Sequence, residues 1–277
     1  MTTPEPVLET TLAAPRTPDA QPLGPRFTVG AVVSKTVSVW WKHVLAFTGM
    51  SIVVYTPLMV VLGLFMTALV TGNAPSVDAL PTLGIAGVVV WLLTVVLAVI
   101  QAGAVTYGTV RHLSGERARV AEMIRVGFQR GLPIVAVGFL LWIAIVLGML
   151  LLLVPGVMLL VASSVAVPAA VVERPGTLGA IRRSFALTRG YRWGLFAAGL
   201  AVMVIVWVLT AVVQVGATVL LTLLLPQQQA MAGAIVTGQL GNVFFSAIPV
   251  VGIAVAYHEL RVAKEGIDTA ALARVFE

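Results

Sequence analysis

The chain is 277 residues long, 59% hydrophobic and only 10% charged, with a mean hydropathy of +1.04. Soluble domains carry about 25% charged residues, so this deficit leaves too few charges for a water-facing surface and excludes an ordinary soluble fold. The net charge of +6 comes from cations crowded beside apolar runs, which points to membrane topology and anionic lipid, not nucleic acid. The absence of cysteine excludes disulfides, thiolate catalysis and cysteine-ligated metals.

Residues 1–26 hold six prolines (Pro4, Pro6, Pro15, Pro18, Pro22 and Pro25) and no apolar run long enough for a signal-peptide core. That composition predicts a disordered leader. From Phe27 the period becomes helical: Val29, Val32, Val33, Thr36, Val37, Trp40 and Trp41 share one stripe, opposite Ser34, Lys35, Ser38 and Lys42. The Trp40-Trp41-Lys42-His43 end has the aromatic and basic composition of a headgroup layer. A first span is expected over about Val44–Val70 with a kink at Pro57, then a linker over Thr71–Pro81 and a second span over about Thr82–Val110.

Arg111–Leu132 reads as a second basic amphipathic segment, with Val120, Met123, Ile124, Gly127 and Phe128 on its apolar face. A third span follows over Pro133–Val154, a tight turn at Pro155-Gly156, and a short fourth span over Val157–Val172, tilted or kinked near Pro168. Thr177–Trp193 is the third basic segment: Leu178, Ile181, Phe185 and Thr188 fall on one face and Arg182, Arg183, Arg189 and Arg192 towards the other. Such helices lie in a membrane interface, with cations among headgroups and apolar side chains in acyl chains. A fifth run, Trp193–Leu225, exceeds the roughly 20 residues needed to cross and is expected to tilt or break near Gln214 and Gly216. The sixth span covers about Met231–Tyr257; His258-Glu259-Leu260-Arg261 leads into a tail in which Ile267–Val275 has helical character.

All 17 lysines and arginines lie before span one, between spans two and three, between four and five, or after span six. The positive-inside rule therefore predicts cytoplasmic termini and cytoplasmic long loops. An offset of 149 aligns Gly30-Ala31 with Gly179-Ala180 and Phe47 with Phe196. The expected fold is all-α: six transmembrane helices as three interfacial-helix-plus-hairpin units, about 27–110, 111–174 and 175–260, with a cytoplasmic tail over 261–277.

Candidate chemistry is sparse. No Asp, Glu, Lys, Arg or His occurs over 131–172 or 193–257, and Asp78 is the only one over 44–110. Intramembrane ionisable groups would mark a functional site, so their absence argues against a carboxylate proton relay or an intramembrane hydrolase. His43, His112 and His258 fall at one membrane level but lack metal-site spacing, and read as solvated interfacial residues. Glu122, Glu173 and Glu259 lie among arginines and read as their ion-pair partners. Gln101, Gln214, Gln239, Asn242 and Ser246 are polar groups within spans; they either join helices by hydrogen bonds or line a polar path. Ala104/Gly108 and Ala234/Gly238 favour close helix packing.

Four stretches, RFTVGAVVSKTVSVWWKHVLAF, LLLVPGVMLL, AIRRSFALTRGYRWGLF and YHELRVAKEG, occur in an order that resembles a group of bacterial multi-pass proteins. These are similar to the membrane domain found beside glycerophosphoryl diester phosphodiesterases, over about residues 27–277. The resemblance implies a bacterial inner-membrane protein. It carries no catalytic residues, because no stretch here corresponds to the soluble phosphodiesterase domain or to an acid/His constellation.

The expectation is thus a non-enzymatic inner-membrane module without cofactor or metal. It would act on lipid organisation, membrane shape or complex assembly through anionic lipid, with protein partners or a homo-oligomer possible and no nucleic acid. Its interface residues are Lys35, Trp40, Trp41, Lys42, Arg125, Arg130, Arg182, Arg183, Arg189, Arg192 and Trp193. The alternative is a permease subunit using the five intramembrane polar residues.

Overall fold

A computed structural model describes residues 27–70, 80–116 and 118–265, and all regular structure among them is α-helical. The proline-rich leader, the 71–79 linker and the 266–277 tail lie outside the described residues, as does Arg117. Ten helices are described: α1 (Val29–Lys42), α2 (Val44–Val70), α3 (Leu80–Leu113), α4 (Val120–Leu151), α5 (Leu153–Ser163), α6 (Ala166–Val172), α7 (Thr177–Thr188), α8 (Arg192–Leu224), α9 (Gln227–Phe245) and α10 (Ala247–Glu265). They supply six segments long and apolar enough to cross a membrane, with α5–α6 and α9–α10 each counting as one.

Helix α1 starts where the Thr28 hydroxyl accepts a hydrogen bond from the Ala31 N–H at 3.3 Å, an N-cap. It ends at His43, and α2 begins at the next residue. Val32, Thr36, Val39 and Trp40 are buried, while Val37 and Trp41 are exposed, so the buried stripe is rotated from the one the apolar pattern suggests. Helix α7 is rotated likewise. It buries Ala180, Ser184, Leu187 and Thr188 and leaves Leu178 exposed. The cause is local: α5 ends at Ser163, so the Ala162 carbonyl lies in a helix terminus that needs a donor. Ser184 Oγ donates to it at 2.8 Å and Thr188 Oγ1 lies 3.3 Å from it.

Three further expectations are corrected. The second basic segment is not a separate interfacial helix: α4 runs unbroken from Val120 through Pro133 to Leu151. Pro133 lacks the N–H that would bond the Gln129 carbonyl, a loss that neighbouring helices let membrane helices tolerate. Pro155-Gly156 is not the turn between spans three and four; Leu152, in an extended conformation, makes that turn alone. Pro155 and Gly156 sit in the first turn of α5, and Gly156 is needed for close approach: a Cβ there would meet Met149 N at 2.7 Å. Helix α8 has no break at Gln214 or Gly216. The break falls instead in span six, at Ser246, and α10 continues past Tyr257 to Glu265.

The expected kink near Pro168 is present as the α5–α6 break at Ser164-Val165. Pro155, Pro168 and Pro249 all stand third in their helices, after breaks at Leu152, Val165 and Ser246. A proline ring clashes with the carbonyl four residues back, so it is tolerated in a first turn and ends the helix that would otherwise precede it.

Helix α10 is the axis of the bundle. It packs against α1, α3, α6, α7 and α8, and Val251, Val255, Tyr257 and Leu260 on it are fully buried. Helices α3 and α4 meet through glycines: a Cβ at Gly127 would lie 2.3 Å from the Ile100 carbonyl oxygen, and one at Gly108 2.2 Å from Met123 Cε. Trp91, Trp142 and Trp207 are exposed on the outside of the spans, a surface suited to lipid.

Candidate functional site

The charged residues gather at one end of the bundle, where α10 acts as a strut. Lys35 of α1 reaches Glu259 of α10 at 2.6 Å. Glu173, at the end of α6, accepts from Arg183 Nε of α7 and from the Tyr257 hydroxyl of α10, each at 2.7 Å. Arg183 also pairs with Glu265, which in turn accepts from Arg261 Nε at 3.0 Å. Burial opposes the charge on Arg183, but hydrogen bonds and charge from Glu173 and Glu265 outweigh it and push the guanidinium pKa above its ordinary value. Lys264 donates to the Ala186 carbonyl at 2.5 Å, adding a clasp from α10 to α7. On the far side, Arg111 pairs with Glu116 and Glu122, and the Tyr107 hydroxyl donates to Glu122.

This network divides the interface candidates. Lys35 and Arg183 are committed to internal ion pairs. Trp40 is buried against Phe244 and Phe245, with ring centroids 5.4 and 6.0 Å away. Arg130 and Arg192 are half-buried. Lys42, Arg125, Arg182 and Arg189 are exposed, and none makes an ion pair among the described residues. Trp41 and Trp193 are exposed beside them, at 68% and 73%.

The intramembrane polar residues do not form one set. Gln101 Nε2 donates to Ser51 Oγ at 2.6 Å, and Ser246 Oγ lies 2.9 Å from the same oxygen. Gln214 bonds the Ala234 carbonyl at 2.8 Å and packs on Gly238, joining α8 to α9. Gln239 is half-buried and Asn242 exposed. Ser51, the fully buried centre of the first group, escaped the sequence reading because a single serine in an apolar helix has no distinguishing pattern.

The histidines also differ from expectation. His43 Nε2 lies 3.1 Å from His112 Nδ1, with the rings edge-on at a centroid distance of 4.8 Å, so these two are paired and partly buried. Burial first, and Lys42 second, hold the His43 pKa below its ordinary 6.5. The pair lines a cleft of about 450 Å³ together with Lys42, Phe47, Glu116 and Met123. A second cavity, of about 290 Å³, is an apolar groove between α1, α5, α8 and α10. Among the described residues no three of His, Cys, Asp and Glu stand close enough to hold a metal ion.

Fold and charge distribution define a multi-pass helical membrane protein. No protein-family model, curated protein or solved structure matches the chain.

Proposed function

We propose that this protein is a non-enzymatic module of the bacterial inner membrane, with both termini and its cation-bearing end in the cytoplasm. Its three basic-segment-plus-hairpin units hold anionic headgroups, and through them it organises lipid, shapes the membrane or seats a partner complex. The observation that carries this reading is that Lys42, Arg125, Arg182 and Arg189 are exposed without ion-pair partners among the described residues. Exposed apolar side chains flank them: Trp41, Leu45, Phe128, Leu178 and Trp193. Cations and apolar groups side by side suit the boundary between headgroups and acyl chains. Lys35 and Arg183 have a different part in this reading: they fix α1 and α7 to α10 and so aim the free cations.

A lysine or arginine near an anionic surface contributes about 1 kcal/mol. Replacing Lys42, Arg125, Arg182 and Arg189 with Gln is therefore expected to weaken retention of anionic lipid by detergent-purified protein by up to about a thousandfold. Unchanged retention by a variant that inserts normally would refute the lipid role. The permease alternative has less support: the Gln101–Ser51–Ser246 group and Gln214 are each engaged in helix contacts. Neither described cavity is lined by any of the five polar residues.

A further inference from the structure

The His43–His112 cleft combines a cation without an ion-pair partner among the described residues, a titratable pair and an apolar floor. Lys42 stands at its mouth, exposed. Among the described residues the facing charges are Glu116, already paired with Arg111, and Glu122, which Arg111 also contacts and to which Tyr107 donates. Phe47 and Met123 supply the floor. The exposed side chains of Trp41 and Leu45 adjoin the two residues that carry this charge, Lys42 and His43.

The histidine contact has a consequence for ligand choice. A neutral pair shares one N–H between His43 Nε2 and His112 Nδ1, which leaves one outer nitrogen as donor and the other as acceptor. Adding a proton to the acceptor makes both outer nitrogens, His43 Nδ1 and His112 Nε2, donors on a singly charged fork. With Lys42, the fork then offers two positive charges at one place. We infer that the cleft binds a phosphate monoester headgroup, held by Lys42 and by the His43–His112 pair, which takes up one proton from solvent on binding. This rests on the lipid-binding reading above and specifies the headgroup. A divalent cation is the competing occupant of two imidazoles, but the Lys42 ammonium opposes it and Glu116 is engaged by Arg111.

The sign of the pH dependence follows. Empty, His43 is held below 6.5, so the pair is neutral near pH 7. A bound dianion favours the protonated pair, so binding takes up a proton and tightens as pH falls. The gain ends near the second phosphate pKa, about 6, where the ligand loses its second charge. Affinity for a phosphate monoester is expected to rise by up to about tenfold between pH 8 and pH 7, where one proton is linked to binding.

The test is an NMR titration of the imidazole protons of the full chain in lipid nanodiscs, with the three histidines assigned through His43→Gln and His112→Gln. Phosphatidic acid, a monoester, is expected to raise the titration midpoints of His43 and His112, and phosphatidylglycerol, a diester, to leave them in place. Lys42→Gln should weaken phosphatidic acid retention at both pH values, whereas His112→Gln should abolish the pH dependence. Glycerol 3-phosphate in detergent separates the sources: an equal shift upholds the site and assigns it to the phosphate group itself, while a shift with the lipid alone assigns it to membrane headgroups. If neither ligand moves the wild-type imidazoles, or if zinc alone does, the inference is overturned. In that event retention of anionic vesicles through Arg125, Arg182 and Arg189 would still stand, whereas its loss would count against the broader lipid reading.

Discussion

Glu173 shows how a single carboxylate at the end of a short helix can tie three elements. It accepts from Arg183 of α7 and Tyr257 of α10, and Arg261 Nε lies 3.7 Å away. Glu173→Gln keeps the shape but leaves Arg183 and Arg261 to share Glu265. Removing the acceptor of a charge-assisted bond costs about 1.5–3 kcal/mol when buried; the partial exposure of this cluster reduces that to roughly 1–2 kcal/mol. A lower melting temperature in detergent is the expected outcome, and unchanged melting would show that the network is not stabilising. The sequence makes such pairing legible in kind, since Glu122, Glu173 and Glu259 stand among cations. The partners were hidden: Lys35 and Glu259 are 224 residues apart, and only the path of α10 back past α1 joins them. The same holds for His43 and His112, which adjacency at one membrane level does not pair by itself.

At the scale of elements, apolar length placed the spans but not their breaks. Of the six prolines within helices, Pro155, Pro168 and Pro249 sit in first turns after a break, Pro81 stands second in α3, and Pro57 and Pro133 lie inside unbroken helices. All six lack the same N–H, so the difference lies in neighbours that the linear pattern does not encode. The α3–α4 contact is of that kind. Gly127 sits on the Ile100 carbonyl, whereas a Cβ at Gly138, further along α4, would meet nothing within 4 Å among the described residues. Gly127→Ala therefore forces backbone apart, at about 1–3 kcal/mol by analogy with overpacked cores. Gly138→Ala should be neutral or slightly stabilising, because alanine favours helix. Thermal unfolding of the two variants side by side checks this, and equal stabilities would mean that the helices separate at no cost. Ala104/Gly108 and Ala234/Gly238 were readable as close-packing pairs because small residues in membrane helices have this common use. Gly238 indeed receives the Gln214 side chain.

For the whole molecule, the unequal lengths of the helices set how far each turn reaches. Helix α8 has 33 residues, a length of about 50 Å, well beyond a hydrocarbon core of roughly 30 Å. The α5–α6 segment has 20 residues and reaches only about 30 Å. Helix α8 leaves the charged end and α5–α6 runs back to it, so in a membrane the α8–α9 turn, with Gln227 exposed, is expected to reach water while the Leu152 turn is expected to stop at the far edge of the core. The composition agrees: Leu150–Val154 is wholly apolar and exposed, whereas Pro226 is followed by three glutamines. The cysteine-free chain makes this directly testable, because any introduced thiol is the sole target for a membrane-impermeant maleimide. If the charged end is cytoplasmic, as proposed, Gln227→Cys is expected to react in intact cells, and Arg182→Cys, at an exposed position of α7, only after permeabilisation. Leu152→Cys should resist labelling from either side despite lying in a turn. Reaction of Arg182→Cys in intact cells would invert the topology, and ready labelling of Leu152→Cys would show that the α4–α5 turn emerges fully into water.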